Sequence, residues 1–306
     1  MDNPILALSQ PPQRPSLRTV AELLKPITWF PPVWAFACGA VASGQSLADN
    51  WALIVLGLVL TGPLVCASSQ AVNDWFDRHV DAINEPQRPI PSGRIPGRWG
   101  LYIAIFWTGL SLMWAWYLSP WGFAAAGLGL VLAWAYSAPP FRLKQNGWWG
   151  NAACAISYEG LAWLTGAAVV LGDVMPDERS FALALLFSVG AHGIMTLNDF
   201  KAIEGDQRMG VGSLPVRLGV SRAARTACWM MLLPQAMVVI LLQSWHAGWH
   251  ALAVVALMVG QIPLMYRFVQ DPVNKALMLS AAGVPLFVSG MMVSAWALRL
   301  GHGGLT

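Results

Sequence analysis

Two stretches of this chain carry acidic residues at matching spacings, each after a long apolar segment. The first reads N-D-W-F-D-R-H-V-D at 73–81, with acids at Asp74, Asp77 and Asp81. On a helix, residues i, i+3 and i+7 lie on one face, so this spacing predicts a stripe of three carboxylates. Mg²⁺ is commonly bound by one or two carboxylates together with phosphate oxygens. The stripe therefore suggests divalent cations and a polyphosphate substrate that needs them.

The second stretch, N-D-F-K-A-I-E-G-D at 198–206, repeats this pattern incompletely. Its acids Asp199 and Asp206 match the first and last acids of the first stretch, while Ala202 stands at the middle position and Glu204 follows nearby. We expect Asp199 and Asp206 to be metal ligands first and Glu204 second. The six acids are all candidate metal ligands, and four are also candidate catalytic residues: Asp74, Asp77, Asp199 and Asp206.

Polar and basic residues beside the two stretches could bind a diphosphate. Carboxylates alone repel a diphosphate, but carboxylates that hold Mg²⁺ attract it, and arginines and lysines neutralise the remaining charge. The candidates for this role are Asn73, Arg88, Arg142, Lys144, Asn198 and Lys201.

The composition is that of a membrane protein with several spans. Hydrophobic residues make up 56% of the 306 positions and charged residues 11%, against about 25% charged residues in a typical soluble domain. The mean hydropathy is +0.53. A net charge of +3 is too small to suggest a nucleic-acid partner.

Nine apolar segments are long enough to cross a bilayer as helices. They predict an all-α, nine-helix bundle with a lateral or central cavity for a lipid substrate, over residues 27–46, 51–72, 100–118, 121–138, 150–172, 180–197, 226–244, 248–268 and 276–298. The expected divisions are an N-terminal cytoplasmic arm (1–25), a nine-helix domain (26–298) and a short tail (299–306).

Basic residues indicate the orientation of these spans. If the N-terminus is cytoplasmic, every Lys and Arg except Arg179 and Arg299 lies on the cytoplasmic side, as the positive-inside rule requires. Both acidic stretches then lie on that side, after spans 2 and 6. The expected location is a bacterial inner membrane, with the active-site loops facing the cytoplasm.

The membrane location narrows the class of substrate. A diphosphate whose remainder belongs in lipid is an isoprenyl diphosphate, and its allylic C–O bond ionises when metal and cationic groups stabilise the leaving diphosphate. The carbocation needs a dry pocket lined with π-faces. Tryptophans inside the spans, such as Trp134 and Trp163, could supply those faces.

At this point the residues resemble a known family, the UbiA superfamily of intramembrane prenyltransferases. The resemblance covers essentially the whole chain. It rests on N-D-x-x-D-x-x-x-D (73–81), R-P-I-P-S-G (88–93), Y-S-x-P-P-x-R-L-K (136–144) and E-G-D-x-x-x-G (204–210). The stretches N-D-F-K-A-I-E-G-D-Q-R-M-G-V-G-S-L-P-V-R-L-G (198–219) and D-A-I-N-E-P-Q-R-P-I-P-S-G-R-I (81–95) are most similar to the chlorophyll and bacteriochlorophyll synthase branch. The short N-terminus favours the bacteriochlorophyll version.

The resemblance implies an activity and its substrates. Members of this branch transfer a geranylgeranyl or phytyl group from its diphosphate to the propionate carboxyl of a (bacterio)chlorophyllide, and two or more Mg²⁺ ions are expected. A quinone precursor or haem as the acceptor remains open, and so does a transporter or pigment carrier without catalysis. Protein partners are not indicated.

Four further residues could contact the prenyl chain or the tetrapyrrole. Ionisable residues inside membrane spans are functional candidates by default, which singles out Glu159 and His192. Tyr136 and Tyr158 are the other two. A propionate is already ionised at neutral pH, so the reaction does not require a strong general base.

Overall fold

Helices account for the regular structure of residues 14–303, the part of the chain that the computed structural model describes; side chains are described as far as residue 301. Within this part, the only extended pairing is an isolated bridge between Asn146 and Gly212. The helices in chain order are α1 (Leu17–Leu23), α2 (Phe30–Ala42), α3 (Trp51–Asn84), α4 (Trp99–Leu118), α5 (Pro120–Ser137), α6 (Gly147–Leu171), α7 (Glu178–Asp199), α8 (Ile203–Arg208), α9 (Leu214–Leu218), α10 (Val220–Ser244), α11 (Gly248–Gln270) and α12 (Pro272–Met278 through Leu279–Gly283 to Val284–Gly303).

Helix covers each of the nine predicted segments, but fewer of these helices have the length and composition of a membrane span. Among the described residues, seven are long and apolar enough: α3, α4, α6, α7, α10, α11 and α12. Helix α2 has only 13 residues because prolines occupy its first turn and Gly44, with φ of 76°, ends it. Helix α5 contains Trp, Tyr and several glycines, which lower its apolar content. The all-helical membrane fold is therefore confirmed, and the count of nine spans is not.

The predicted N-terminal arm and the predicted C-terminal tail both contain helical residues. Residues 1–13 of the predicted arm and residues 304–306 of the predicted tail lie outside the described residues. The arm's last residues form α1, where Ser16 accepts the N-capping hydrogen bond of Thr19 and Leu23 is fully buried. Helix α12 continues through residue 298 to Gly303.

Close packing of α2 against α6 fixes the centre of the bundle. A Cβ atom on Gly39 would overlap the carbonyl of Trp163, and one on Gly166 would overlap the carbonyl of Phe36. Such contact between helix backbones requires glycine. The other long helices pack in chain order around this pair, and α12 returns to α2.

Helices α3, α6 and α12 each contain a π-helical segment, at Leu60–Cys66, Ile156–Leu161 and Leu279–Gly283. Pro63 lies inside the first segment and removes a backbone donor there. π-Segments within α-helices occur frequently at functional sites. The first two of these segments face each other across an internal cavity, described below.

The two acidic stretches have different local structures. The first lies entirely within α3, so its predicted helical stripe is confirmed. The prediction of a similar stripe in the second stretch is wrong, because α7 ends at Asp199 and α8 begins only at Ile203. Phe200, next to that break, is buried and packs edge-to-face on Phe268 of α11 at a centroid distance of 5.1 Å. Burial of this ring turns the chain out of the helix.

Candidate active site

An internal cavity of about 340 Å³ opens among α2, α3, α5, α6 and α7. Asn73 and Asn198, one from each acidic stretch, both line it, so the two stretches meet at one end of the cavity. We call this the acidic end. The deeper wall is made mostly of small and aliphatic side chains, among them Leu60, Ala126 and Gly129.

Asp74 is almost completely buried, and cations of the chain neutralise it. The Lys25 ammonium donates to its Oδ1 at 2.6 Å, and Arg88 Nη1 lies 3.5 Å from the same oxygen. Arg88 also donates to Oδ2 of Asp81 at 2.9 Å and pairs with Glu85. The second oxygen of Asp74 is buried and has no hydrogen-bond partner among the described residues. The lone pairs of Asp74 Oδ2 are therefore available to a further ligand.

Asp77, one turn along α3, is neutralised from the loop after α5. Lys144 donates to its Oδ1 at 2.5 Å and to the Asn73 side-chain oxygen at 3.4 Å. Arg142 Nη2 lies 3.9 Å from Asp77 Oδ1, and its Nε is buried without a partner among the described residues. Burial lowers the pKa of Lys144 below its ordinary value, and the carboxylate of Asp77 opposes that shift.

Asp199 is the acid of the second stretch that directly follows a lining residue of the cavity. Its carboxylate accepts a hydrogen bond from Asn151 Nδ2 at 3.1 Å, and the neighbouring Asn198 lines the cavity. Asp206 lies half-buried in α8, and burial raises its pKa. The structure does not bring Glu204 or Lys201 to this group. Glu204 is 88% exposed and lies 3.7 Å from Arg208, and Lys201 is exposed in the turn after α7.

Two loops, one from each half of the chain, are joined by backbone hydrogen bonds at the acidic end. Gly212 N–H donates to the Gln145 carbonyl at 2.9 Å, and Gly147 N–H donates to the Gly212 carbonyl at 2.8 Å. These bonds connect the loop that carries Arg142 and Lys144 with the loop that follows Asp206.

Two cations of the site have unusual backbone conformations. Among the described residues other than glycine, Lys25 (φ 47°), Arg142 (φ 40°) and His246 have positive φ. Side chains with a Cβ rarely adopt this region, and residues held there cluster at functional sites. The backbone is strained at Lys25 and Arg142, and in these conformations both side chains lie near the acids.

Three polar side chains in the cavity wall are connected by hydrogen bonds. Gln70 Nε2 donates to the Tyr158 hydroxyl at 2.9 Å, and Cys66 Sγ donates to the same hydroxyl at 3.7 Å. Tyr136 and Tyr158 both line the cavity. Tryptophans inside the spans could have supplied π-faces, but none is among the lining residues of the described chain. Trp163, for example, is buried elsewhere and donates to Ser180.

Glu159 and His192 lie outside the cavity lining. Glu159 is 3% exposed and has one carboxylate oxygen without a partner among the described residues. The His192 ring lies against the Trp148 ring at a centroid distance of 5.5 Å and a tilt of 35°, and its Nε2 lies 3.2 Å from the Trp148 carbonyl oxygen.

The donor set at the acidic end fits a Mg²⁺ ion that also binds substrate oxygens. Within the described residues, no three His, Cys, Asp or Glu side chains converge as a ready-made metal cluster. Mg²⁺ does not need such a cluster, because it keeps several waters and takes one or two carboxylates plus phosphate oxygens. The unpartnered Oδ2 of buried Asp74 is an oxygen of the required kind.

Sequence reasoning missed three residues of this site: Lys25, Gln70 and Asn151. Lys25 is one of many basic residues near the span ends, and nothing in the sequence links it to an acid 49 positions away. Gln70 and Asn151 carried a signal, since each is a polar residue inside an otherwise apolar segment.

Comparison with known proteins agrees with this geometry. The model of the UbiA prenyltransferase family matches residues 29–299. The bacteriochlorophyll synthase 33 kDa chain of Rhodobacter capsulatus is 53% identical over 93% of this chain and 94% of its own. The chloroplastic chlorophyll synthase of Oryza sativa subsp. japonica is 39% identical over 90% of this chain and 75% of its own.

A solved structure supports the same fold. The UbiA homolog from Archaeoglobus fulgidus bound to DMAPP and Mg²⁺ has a TM-score of 0.65 at 20% identity, over 93% of this chain and 98% of that one. With a family match over nearly its whole length and relatives this similar in sequence, the chain belongs to the UbiA prenyltransferase family.

Proposed function

We propose that this protein transfers a prenyl group from its diphosphate to the propionate carboxylate of a (bacterio)chlorophyllide. The observation that carries the proposal is the 53% identity to a bacteriochlorophyll synthase chain along nearly the whole length of both proteins. The lower identity to chlorophyll synthases, 39%, favours the bacterial pigment as the acceptor. The geranylgeranyl or phytyl group is the expected donor.

The cavity supports this assignment through its shape and lining. Along α3 it extends from Asn73 to Leu60, about 20 Å at 1.5 Å per residue. Its volume is at the low end for pockets that hold drug-sized ligands. Such a narrow apolar space fits one prenyl chain. The macrocycle of the acceptor would then stay at the acidic end, with only its propionate directed at the reacting carbon.

Mg²⁺ is the proposed metal, held by Asp74 and Asp77 from α3 and by Asp199 and Asp206 from the second stretch. When bound, it supplies the positive charge that stabilises the leaving diphosphate. The A. fulgidus homolog with bound Mg²⁺ supports this choice. Asp81 and Glu204 are proposed as weaker candidates, and two or more ions are expected.

The cations at the acidic end have a proposed second role. Lys25, Arg88 and Lys144 neutralise the acids through ion pairs. With Mg²⁺ bound to the acids, these side chains would be free to bind diphosphate oxygens, together with Arg142, Asn73 and Asn198. Charge-assisted hydrogen bonds of this kind are about twice as strong as neutral ones. Lys201 would join them only if the turn after α7 closes over the substrate.

The acceptor requires no general base in this scheme. Within the described residues, no Asp, Glu or His lines the cavity itself. A phenol acceptor needs to lose a proton or to be attacked at ring carbon, whereas a propionate attacks as the anion it already is. This composition favours the carboxylate acceptor over a quinone precursor.

We propose further that the chain has nine spans, with its N-terminus and acidic end on the cytoplasmic side of a bacterial inner membrane. Helices α2 and α5 would be the two spans beyond the seven identified by length and composition. The bias of Lys and Arg supports this orientation. A reporter fused after Thr306 should report a periplasmic C-terminus. A cytoplasmic C-terminus contradicts the nine-span proposal.

The proposed activity is tested with the purified protein, geranylgeranyl diphosphate and Mg²⁺, offered either bacteriochlorophyllide or a hydroxybenzoate. Mass spectrometry should detect the prenyl ester of the tetrapyrrole and no prenylated phenol. Formation of the phenol product alone would move the protein to a different acceptor. The absence of any product, with both substrates bound, would favour a carrier role.

A further inference from the structure

We propose that the Gln70 side chain stabilises the allylic carbocation, through an amide oxygen aimed at the reacting carbon. The inference rests on the proposed prenyl transfer and adds a catalytic residue to it. Gln70 lines the cavity and precedes Asp74 by four residues in α3. It therefore lies about one helical turn from Asp74, toward the apolar part of the cavity at Leu60. This is the level at which the first carbon of a prenyl chain must lie when its diphosphate is held at Asp74.

The reaction creates a positive charge at this level. The C–O bond between the allylic carbon and the diphosphate breaks, and both electrons leave with the diphosphate. The cation that remains accepts an electron pair from a carboxylate oxygen of the acceptor, and a new C–O bond forms. No proton moves. The only charge that the cavity wall must stabilise is therefore the allylic cation, between the departure of the diphosphate and the attack of the acceptor carboxylate.

The wall around this point offers few groups that could do so. Among the described residues, its lining includes no tryptophan or phenylalanine, and its nearby side chains are mainly Ala, Cys and Ser, with the rings of Tyr136 and Tyr158. The amide oxygen of Asn73 is already used, since it accepts from Ser137 at 3.2 Å and from Lys144 at 3.4 Å. Gln70 supplies a second amide carbonyl dipole on the α3 wall, farther from the acidic end than Asn73.

The orientation of Gln70 follows from its partner. The amide nitrogen donates to the Tyr158 hydroxyl at 2.9 Å, which commits the positive end of the amide to Tyr158. The oxygen at the other end of the amide has no donor among the described residues. A preorganised dipole with its negative end toward a developing cation lowers the barrier without reorganisation. Tyr158 is then a positioning residue, because it holds the amide in this orientation.

The experiment compares single-turnover rates of ester formation for wild type, Gln70→Met, Gln70→Glu and Tyr158→Phe. Affinity for an unreactive prenyl thiolodiphosphate is measured in parallel by tryptophan fluorescence. Gln243→Met is the matched control, because it makes the same substitution at an exposed position of α10 that does not line the cavity. It should leave both readouts unchanged.

We expect Gln70→Met to slow ester formation about 100-fold, the usual cost of removing one preorganised dipole, with affinity for the analogue unchanged within about twofold. Gln70→Glu should show the opposite pattern, with the rate largely kept and the affinity for the analogue reduced. Its carboxylate still stabilises the cation but repels the diphosphate, so the rate recovers most of the loss while analogue affinity falls. Tyr158→Phe should slow the reaction about 10-fold, and adding it to Gln70→Met should cost nothing more.

Three results would overturn the inference: a Gln70→Met rate within about threefold of wild type, an equal loss of rate and of analogue affinity, or additive losses in the double variant. If wild type itself forms no ester, the proposed function fails instead. The two failures are therefore distinguishable.

Discussion

Arg88 is expected to stabilise the folded protein by neutralising two buried acids, and Arg88→Ala tests this directly. Asp74 and Asp81 have side-chain exposures of 2% and 9%, whereas that of Arg88 is 27%. Removing one partner of a buried ion pair costs about 3–5 kcal/mol. Partial exposure of Arg88, and the Lys25 ammonium that remains 2.6 Å from Asp74, reduce this to about 2 kcal/mol.

Thermal unfolding in detergent, followed by the fluorescence of the seventeen tryptophans, measures the effect. At about 2 °C per kcal/mol for a chain of this size, the Tm of Arg88→Ala should fall by about 4 °C. Arg94→Ala is the matched control. Arg94 also forms an ion pair, with Glu22 at 2.5 Å, but both side chains are more than 40% exposed. Its loss should leave Tm within the scatter of wild type.

Mg²⁺ should restore Tm in Arg88→Ala more than it raises Tm in wild type. Without Arg88 the acids no longer have that competing cation, so metal affinity rises and a given Mg²⁺ concentration stabilises the fold more. An equal Mg²⁺ increment in both proteins would refute the idea that Arg88 and the metal neutralise the same acids. A fall in Tm no larger than that of Arg94→Ala would refute the burial argument itself.

The remaining predictions concern catalysis. Lys144→Met should raise the KM for prenyl diphosphate at least 10-fold, because a charge-assisted contact is lost; an unchanged KM in steady-state assays contradicts a role in diphosphate binding. Asp199→Asn should reduce ester formation at least 100-fold while Tm holds, and retention of activity would remove Asp199 from the metal ligands. Gly129→Leu should fill the cavity and raise the KM for geranylgeranyl diphosphate more than that for dimethylallyl diphosphate; equal changes would show that the prenyl chain lies elsewhere.

Local sequence patterns predicted the first half of the site well. The i, i+3, i+7 spacing required only a continuous helix, and α3 provides it for all three acids. Apolar segments likewise predicted helices at each span, because length and composition are local properties. The short α2 could have been anticipated from Pro31 and Pro32 at its start and Gly44 after its end.

Tertiary contacts determine the parts of the site that local sequence patterns could not predict. The second stretch aligns with the first by spacing, yet the helix stops at Asp199 where burial of Phe200 against Phe268 redirects the chain. The pairing of Lys144 with Asp77 joins positions 67 residues apart. The motif at 136–144 singled out Lys144, but no local signal pairs it with Asp77, and that contact follows only from how α3 and the loop after α5 meet.

The acids of the two stretches differ in the charge of the side chains that pair with them. On the α3 side, Lys25, Arg88 and Lys144 neutralise Asp74, Asp77 and Asp81. On the second side, Asp199 has a neutral partner, Asn151.

A metal that binds without substrate meets the positive charge of Lys25, Arg88 and Lys144 on the first side but only an amide on the second. Coordination beyond the unpartnered Oδ2 of Asp74 displaces one of these cations and forfeits its attraction to the carboxylate, whereas displacing an amide forfeits one hydrogen bond. The diphosphate removes this difference, because it offers the displaced cations new oxygens. Metal and prenyl diphosphate should therefore bind cooperatively at Asp74 and Asp77, and the order of Mg²⁺ addition should matter less at Asp199. Calorimetric titration of Mg²⁺ with and without the unreactive diphosphate analogue measures this coupling, and equal Mg²⁺ affinities in the two titrations would rule out the charge exchange.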